Sequence, residues 1–253
     1  MSIKITKAVI PAAGKGTRLE PLTLAIPKEM IRVGRKPVIH HVIDVLKAGG
    51  IKEALIITGW KKGAIHDYIG SGERLGIDAC YKIQDEQLGL GHAVLLAKSW
   101  VNGEDFVVIY GDNYIKPDSM MGKVIEMHKA KKAYATIVVH PVEDPSRFGL
   151  VKADSDGKVL GMVEKPAKEE AEKYKTGKEF MSISGIVILN PKIFEFIEKT
   201  KPGKKNEIQL TDSIELMRQA GFPVFAYVFR GKRFDIGTWE SLEEVDRLNL
   251  GEE

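Results

Sequence analysis

Strand-like and helix-like segments alternate through the first half of this 253-residue chain, and this alternation limits the possible folds most strongly. Short runs rich in β-branched and aromatic residues predict strands at 7–11, 54–58, 79–83, 106–110 and 135–140. Helical patterns between them lie at 37–48, 62–69, 91–100 and 119–131. Strands separated by helices of this length form parallel βαβ units whose sheet is covered on both faces. The sequence therefore predicts an α/β fold with a Rossmann-like mixed, mostly parallel sheet flanked by helices.

The second half of the chain has a different pattern. Runs at 150–153 and 159–164 flank an Asp-Gly turn and predict a β-hairpin. Further predicted elements are strands at 182–189 and 224–230 and helices at 192–199, 210–220 and 241–248. The Lys- and Glu-rich stretch 167–178 is expected to be a solvated helix. Because no repeat or low-complexity linker interrupts the sequence, we expect one continuous domain over residues 1–253.

Composition excludes several classes of protein. A hydrophobic content of 43% and a charged content of 29% are typical of a soluble globular chain. The net charge of +3, with cations scattered among acids, argues against a nucleic-acid partner. No apolar run approaches the ~20 residues of a membrane helix, so we expect a cytoplasmic protein without membrane contact. The single cysteine, Cys80, excludes an intrachain disulfide and is expected to be an inert core residue.

The first predicted strand continues into a glycine-rich loop, Ala-Ala-Gly-Lys-Gly-Thr-Arg-Leu at 12–19. Small residues let backbone amides approach phosphate oxygens, and the cations Arg18 and Lys28 can neutralise their charge. The loop is not a dinucleotide fingerprint, because Leu19 occupies the place of the third glycine, and no P-loop string occurs. The Gly-x-Gly alone would indicate only a turn, but the whole string indicates a phosphate-binding loop.

Two carboxylates follow predicted strands at distant chain positions. Asp112 comes directly after the strand at 106–110, and Asp235 follows the strand at 224–230. Ligands of parallel sheets bind outside the carboxyl ends of the strands. Either aspartate alone is equally consistent with a turn residue. Together they indicate a Mg²⁺ site, since this ion takes few protein carboxylates and keeps water or phosphate oxygens as other ligands.

The string G-x-G-T-R-L-x-P-L-T at 14–23, followed by Pro-Lys at 27–28, resembles the N-terminal signature of the sugar-1-phosphate nucleotidyltransferases. The resemblance extends over roughly residues 7–248. It implies a nucleotide half at about 1–140 and a sugar-binding half at about 141–253, which forms the sugar side of a cleft. It also implies that Asp112 and Asp235 hold the metal, with Mg²⁺ as cofactor.

The same resemblance assigns roles to individual residues. Arg18, Lys28 and Lys165 are the expected catalytic cations. The expected nucleotide-binding residues are Ala12, Ala13, Gly14, Gly16, Thr17, Gln84 and Gly89, and the expected sugar-phosphate-binding residues are Gly149, Glu164, Lys165 and Gly185. The Gln84 amide suits the imide edge of uracil or thymine because it both donates and accepts. His92 is expected to begin or pack a helix rather than to act as a catalyst. The family often has Tyr where this chain has Phe148, which removes a hydroxyl.

The strings at 26–30, 88–94 and 206–212 are similar to those of bacterial-type UTP–glucose-1-phosphate uridylyltransferases. We therefore expect UTP and glucose-1-phosphate as substrates, nucleotide-sugar and pyrophosphate as products, and a homo-oligomer (dimer or tetramer) as the assembly. Gly-Asp-Asn at 111–113 instead resembles the thymidylyltransferases, so dTTP stays open as the alternative.

Two other classes of protein are possible in principle. A regulatory relative without activity would have lost at least one of the five charged residues expected at the site, and this chain keeps all five. A glycosyltransferase would carry Asp-x-Asp after the central strand. Here Asp112 precedes Asn-Tyr, and the single Asp-x-Asp at 154–156 lies in the predicted hairpin turn. The nucleotidyltransferase interpretation is therefore favoured over both.

Overall fold

The computed structural model describes residues 4–203 and 206–249 of the chain, without the side chains of the last two. The chain divides into two compact units. The first unit consists of Thr6–Gln87, Ile109–Gly122 and the described residues from 231 onwards. The second unit consists mainly of Leu88–Val108 and Lys123–Arg230.

Strands occur throughout both units. They are β1 Lys7–Ala12, β2 Arg32–Val33, β3 Lys36–Pro37, β4 Glu53–Thr58, β5 Asp78–Ile83, β6 Phe106–Ile109, β7 Asn113–Lys116, β8 Ala135–Val142, β9 Gly149–Ala153, β10 Val159–Glu164, β11 Lys175–Thr176, β12 Glu179–Leu189, β13 Val224–Val228 and β14 Lys232–Asp235. The helices are α1 Leu22–Ala25, α2 Val38–Ala48, α3 Lys62–Ile69, α4 Leu90–Leu95, α5 Lys98–Val101, α6 Met120–Ala130, α7 Lys168–Ala171, α8 Ile193–Lys199, α9 Leu210–Gln219 and α10 Trp239–Asn249. No helix in the described ranges is long and apolar enough to cross a membrane.

The first unit is built on parallel strands. β1 pairs with β4 and β4 with β5, both in parallel, so their carboxyl ends lie at the same edge. The central strand β4 is buried from Ala54 to Thr58, which explains its continuous apolar sequence. Helix α2 alternates buried aliphatic residues with polar ones and ends at Ala48, and it is followed by Gly49 and by Gly50 at φ 75°.

The strand pair formed by β7 and β14 in the first unit was not predicted from sequence. β14 pairs antiparallel with β7, and Asp235 lies opposite Asn113 in the register. The backbone amide of Ile236 also donates to the Asp112 carbonyl over 2.9 Å. This pairing brings together two chain segments that are more than a hundred positions apart, and it places the two candidate metal-binding carboxylates side by side.

The second unit is mainly antiparallel. Its long strand β12 pairs antiparallel with β8 and β9, and β13 pairs with β8 in parallel. The predicted hairpin is present as β9 and β10, with Gly157 at φ 80° in its turn. Parallel strands in one unit and antiparallel strands in the other account for the mixed character that the sequence predicted.

Most predicted elements are present within one to three residues of their expected bounds, and three expectations need correction. The predicted helix at 91–100 is two short helices, α4 and α5, joined at Leu96–Ala97. The stretch 167–178 contains only α7, a single turn of 3₁₀ helix and strand β11. Cys80 is half-buried in β5 rather than a core residue.

Candidate active site

The glycine-rich loop after β1 is held in a conformation that depends on Gly16. This residue has φ 67°, and a Cβ added to it would lie 2.9 Å from Thr23 Cγ2. The Thr23 hydroxyl donates to the Gly16 carbonyl over 2.9 Å. A left-handed glycine packed against a buried threonine leaves room for no other residue. Gly14 and Thr17 are exposed, so this part of the loop can be reached by a ligand.

The start of the same loop is fixed at Ala13. Its carbonyl accepts hydrogen bonds from Gln87 Nε2 at 2.9 Å and from the backbone amide of Trp60 at 3.4 Å. Gly59 packs so closely that an added Cβ would lie 2.9 Å from the Ala13 carbonyl oxygen. Ala12 and Ala13 are themselves buried. The loop is thus attached to the segments after β4 and β5, at the carboxyl edge of the parallel strands.

A cluster of buried charges lies beside this loop. Lys28 makes a direct ion pair with Asp112, and the two side chains are 19% and 10% exposed. Glu29 is 1% exposed, and its Oε2 has no hydrogen-bond partner among the described residues. Asp235 Oδ1 is likewise buried without a partner in the part of the chain that the structure describes. The cluster therefore holds three carboxylates and one closely paired ammonium.

Burial and mutual repulsion shift the pKa values in this cluster. Burial raises the pKa of Glu29 to about 7, and nearby Lys28 only partly opposes this. Burial and the Asp112 charge raise the pKa of Asp235. Burial also acts to raise the pKa of Asp112, but Lys28 outweighs it and the pKa is lowered. Burial would lower the pKa of Lys28, yet Asp112, Glu29 and Asp235 together raise it, so this side chain stays charged.

Arg18 lies next to the second aspartate. A Cβ added at Gly237 would lie 2.9 Å from Arg18 Nη2 and 3.0 Å from Asp235 Oδ1. Arg18 is exposed, so its guanidinium remains accessible to an anionic ligand. Glycine at 237 leaves free the space that both of these groups border.

One hydrophobic cluster supports these charged residues. It contains Leu19, Ile31, Tyr114, Ile236 and the α10 residue Val245. Each of the first four is within a few positions of Arg18, Lys28, Asp112 or Asp235 in sequence. Burial of their apolar surface supplies the driving force that holds four separate chain segments in register. The packing therefore determines the geometry of the charged groups.

Gln84 lies in a pocket of the first unit. The cavity measures about 330 Å³, within the ~300–1,000 Å³ range of small-molecule sites. Gln84 is 6% exposed, and its backbone amide donates to the Thr58 carbonyl over 2.8 Å. The other lining residues are Lys15, Gly59, Trp60, Lys62, Ile83, Asp85 and Gln87. The indole, amide and cationic groups of this pocket could bind a flat polar ring.

Gly89 belongs to the second unit, where close packing explains the glycine. It has φ 92°, and a Cβ added there would lie 2.8 Å from the Ile208 carbonyl oxygen. Leu88 and Gly91 also exchange backbone hydrogen bonds with Ile208, each at 2.8 Å. The predicted base contact at Gly89 stays a prediction. His92 lies within α4, in agreement with the expected helical position.

Three of the four predicted sugar-phosphate-binding residues, Gly149, Glu164 and Lys165, lie together at the β9–β10 hairpin of the second unit. Glu164 lies opposite Gly149 in the register. A Cβ added at Gly149 would lie 2.8 Å from Glu164 Oε2, so only glycine leaves space for this carboxylate. Lys165 has φ 44°, and its ammonium is 2.8 Å from Glu164 Oε1. Thr211 donates its hydroxyl to Glu164 Oε2 over 2.8 Å.

Gly185 lies on β12, where the pairing with β8 shifts register between Ile183 and Val187. Its φ of 72° marks an irregularity that other residues rarely adopt. Neighbouring Ser184 lies 3.2 Å from His140 Nδ1, which also lies 3.0 Å from the Ser182 hydroxyl. Gly185 itself is buried, and its predicted contact with the sugar stays a prediction.

The donors at the aspartate pair fit a hard divalent cation. Asp235 Oδ1 is buried without a partner in the described part of the chain, and its neighbour Asp112 supplies a second carboxylate. Within the described ranges, no three histidine, cysteine or acidic side chains lie so that they could hold one metal ion together. Two carboxylates with the remaining positions left to water or phosphate oxygens is a donor set typical of Mg²⁺.

Sequence reasoning gave no role to Glu29, Thr211, Trp60 or Gln87. Each lies within or next to a string that the sequence analysis had singled out. For Glu29 the available signal was an acidic residue surrounded by Ile26, Met30 and Ile31, which indicates a buried carboxylate. For the other three residues, only tertiary structure shows which atoms they contact.

Comparison with known proteins identifies the family. The model of the nucleotidyl transferase family matches residues 7–250. This chain belongs to that family, and the class of enzyme predicted from the sequence is confirmed. A UDP-glucose pyrophosphorylase solved in complex with UDP-glucose superposes with a TM-score of 0.89 at 30% identity, covering 99% of this chain and 100% of the other. The predicted α/β fold is confirmed by the same superposition.

Relatives with two nucleotide preferences are similar to this chain. The UTP–glucose-1-phosphate uridylyltransferase of Mycoplasma pneumoniae is 37% identical over 264 residues, covering 93% of this chain and 89% of the relative. The glucose-1-phosphate thymidylyltransferase of Streptomyces antibioticus is 31% identical over 96% of this chain. The low-salt glycan biosynthesis nucleotidyltransferase Agl11 of Haloferax volcanii is also 31% identical over 96% of this chain. The chain spans 66% of the length of each of these last two relatives.

Proposed function

We propose that this chain joins UTP to glucose-1-phosphate, giving UDP-glucose and pyrophosphate. The observation that carries the proposal is the buried cluster of Lys28, Asp112 and Asp235 beside the glycine-rich loop. We further propose that the whole chain acts as one nucleotidyltransferase domain. It would work in the cytoplasm as a homo-oligomer (dimer or tetramer), without nucleic-acid or membrane partners.

The chemistry is a displacement at phosphorus. An oxygen of the sugar phosphate attacks the α-phosphorus of the triphosphate, and the bond to the β-phosphate oxygen breaks as pyrophosphate leaves. The attacking phosphate is already anionic, so no general base is needed. The main obstacle is the repulsion between two polyanions, and catalysis consists of positioning and charge neutralisation.

Residues of the first unit would bind the triphosphate. Backbone amides of the loop from Ala12 to Thr17 would contact its oxygens, with Gly14 and Gly16 permitting close approach. Arg18 is exposed and Lys28 stays charged, so both can neutralise phosphate. Lys28 would then exchange its Asp112 partner for a phosphate oxygen. Gln84 would hydrogen-bond to the base in the pocket that it lines.

Asp112 and Asp235 would hold Mg²⁺. When bound, the ion would neutralise charge on the phosphate oxygens. The support for this assignment is the buried, unpartnered Asp235 oxygen beside the Asp112 carboxylate. In the absence of ligand, Lys28 pairs with one oxygen of Asp112. If Lys28 turned to the triphosphate instead, that oxygen would become available to the ion.

Residues of the second unit would bind glucose-1-phosphate. Lys165 would hold the phosphate, because its ammonium is 58% exposed and its partner is a neighbouring side chain. Glu164 would accept hydrogen bonds from sugar hydroxyls in the space that Gly149 leaves open. Gly185 and Gly89 would allow close approach of the sugar and the base, respectively.

dTTP is the alternative nucleotide. The Gly-Asp-Asn string at 111–113 and the similarity to the Streptomyces antibioticus enzyme favour it. Gln84 fits uracil and thymine equally, since a methyl group and not a hydrogen bond distinguishes the two bases. The higher identity to the Mycoplasma pneumoniae enzyme is the reason to place UTP first.

Pyrophosphate release tests the proposal directly. The purified chain with Mg²⁺ is assayed against a grid of nucleoside triphosphates and sugar-1-phosphates. Strong turnover with UTP and glucose-1-phosphate, and little with dTTP, is the expected result. A preference for dTTP would move the chain to the thymidylyltransferases. A folded protein that binds nucleotide and releases no pyrophosphate with any pair would overturn the proposed activity.

A further inference from the structure

The Glu164 carboxylate has one donor on each oxygen. Lys165 Nζ lies 2.8 Å from Oε1, and the Thr211 hydroxyl donates to Oε2 over 2.8 Å. The space beside Oε2 is limited further by Gly149, where even a Cβ would come within 2.8 Å. The carboxylate is thus held from two sides, by a charged donor and by a neutral one.

The two donors differ in how firmly they are fixed. The Lys165 side chain is 58% exposed and long, so its ion pair with Glu164 is easily exchanged. Thr211 is 7% exposed and is the second residue of α9, so helix packing fixes its position. The pKa of Asp212, the next residue of the same helix, is raised by burial and, to a smaller extent, by the Glu164 charge. Glu164 therefore lies close to the start of α9.

Binding of a sugar phosphate would draw only one of these two donors, Lys165, away from Glu164. If Lys165 turns to the phosphate, Oε1 of Glu164 becomes available to sugar hydroxyls. The terminal torsion of a glutamate is broad, so a carboxylate that loses one of two anchors can rotate freely. A single fixed donor on Oε2 is then what keeps the plane of the carboxylate directed at the sugar.

We propose that Thr211 is a positioning residue, whose hydroxyl orients Glu164 for glucose-1-phosphate by holding Oε2 when Lys165 engages the phosphate. The inference rests on the proposed function, because it assumes that Glu164 binds the sugar. It also gives the Leu-Thr-Asp string at 210–212 a chemical reason for its threonine. A valine there would have the same shape and no donor.

A neighbouring hydroxyl on α9 provides a matched control. Ser213 is fully buried and bonds to Thr200 Oγ1 at 2.8 Å and to the Gln209 carbonyl at 3.2 Å. Its removal should reduce stability through the same helix without touching Glu164. Thr211→Ser keeps the donor, whereas Thr211→Val keeps the shape.

The test measures KM for glucose-1-phosphate and for UTP, together with kcat and Tm, in the three variants Thr211→Val, Thr211→Ser and Ser213→Ala. Thr211→Val should raise KM for glucose-1-phosphate about 10-fold or more, since a hydrogen bond to a charged group is lost, and should leave KM for UTP within about twofold. Thr211→Ser should stay within about threefold of wild type. Ser213→Ala should lower Tm and leave the ratio of the two KM values unchanged.

A Thr211→Val variant with a wild-type KM for glucose-1-phosphate, or with equal changes for both substrates, would overturn the inference. A serine variant as impaired as the valine variant would also overturn it. Crystal structures of the valine and serine variants without substrate give an independent readout. The Glu164 carboxylate should be rotated or split in the former and unchanged in the latter. If the wild-type chain has no activity, the proposed function fails, and an unmoved Glu164 in the valine variant would still refute the positioning role.

Discussion

The two units each hold a lysine against a carboxylate, and the two pairs differ most in their burial. In the first unit, Lys28 and Asp112 have side chains that are 19% and 10% exposed. In the second unit, Lys165 and Glu164 are 58% and 21% exposed. Two further carboxylates, Glu29 and Asp235, lie near the first pair, whereas the neutral hydroxyl of Thr211 bonds to Glu164 of the second pair.

This difference in burial indicates that the two lysine–carboxylate pairs have different functions. Charges that are removed from water interact strongly and are costly to leave unpaired. In a cluster of this kind the Lys28 ammonium interacts strongly with whichever anion faces it, whether that anion is Asp112 or a ligand. An exposed ion pair contributes about 0–1 kcal/mol to the free energy of unfolding and is easily exchanged. The second pair therefore serves mainly to position hydrogen-bond donors and acceptors for a ligand. We therefore expect variants in the first unit to change rate and stability, and variants in the second unit to change sugar affinity.

The largest effect is expected for Lys28→Met. Loss of a cation that faces transition-state charge should lower kcat/KM by about 10²-fold or more. Steady-state pyrophosphate release measures the change. Lys36→Met is the matched control, because Lys36 also pairs with an aspartate, Asp44 at 2.8 Å, but is 45% exposed. If the two variants lose similar amounts of activity, the proposed difference between the buried pair and an exposed pair is wrong.

Glu29→Gln should change stability with pH. The folded-state pKa of about 7 lies above the ordinary 4.5, so the protonated form is favoured by folding. Stability from this group is complete below about pH 4.5 and is lost as the pH rises through 7. The neutral glutamine escapes that loss, which amounts to roughly 3 kcal/mol at 1.36 kcal/mol per pKa unit.

Urea unfolding of the wild-type chain and of Glu29→Gln at pH 5 and pH 8.5 provides the measurement. The variant should gain free energy of unfolding at the higher pH and little at the lower pH. A gain that is the same at both values would mean that Glu29 is not a buried carboxyl with a raised pKa, and the electrostatic half of the comparison would fail.

Local sequence was sufficient for the strands and helices, because apolar runs and helical periodicity reflect burial within each element. It was also sufficient to select Arg18, Lys28, Asp112 and Asp235 as a group, through the resemblance to a family. It missed the β7–β14 pair, since four-residue strands with charged ends carry no alternation, and that pair is what places Asp235 beside Asp112.

Contacts between distant side chains were beyond sequence reasoning. The direct pairing of Lys28 with Asp112 joins residues 84 positions apart and depends on how the chain between them folds. The bond from Thr211 to Glu164 joins residues 47 positions apart through a helix and a hairpin. Residue type can suggest that a lysine binds phosphate. The carboxylate that the same lysine pairs with when no ligand is bound is known only from the packing of the folded chain.

Gly149→Ala tests the geometric half of the comparison. The new Cβ would lie 2.8 Å from Glu164 Oε2 and 2.9 Å from Ile183 Cδ1, so the carboxylate must move. We expect KM for glucose-1-phosphate to rise about 10-fold, since small displacements of a positioning group are costly. Gly161→Ala on the same hairpin is the control, because its Cβ would meet only Tyr174 Cε1 at 3.4 Å. Equal effects of both substitutions would point to hairpin stability instead of the position of Glu164.

The smallest effect is expected for Gln87→Ala, which combines features of both regions. This side chain is exposed, yet its amide donates to the Ala13 carbonyl at the start of the phosphate-binding loop. Loss of one neutral hydrogen bond of about 0.5–1.5 kcal/mol should raise KM for the nucleotide roughly 2- to 10-fold and leave KM for glucose-1-phosphate unchanged. Gln219→Ala removes a similar exposed amide bond, to Glu215 at 2.9 Å, and should change neither constant. If Gln87→Ala changed the sugar constant instead, the assignment of the nucleotide to the first unit would be wrong, because Gln87 contacts only that unit's loop through this bond.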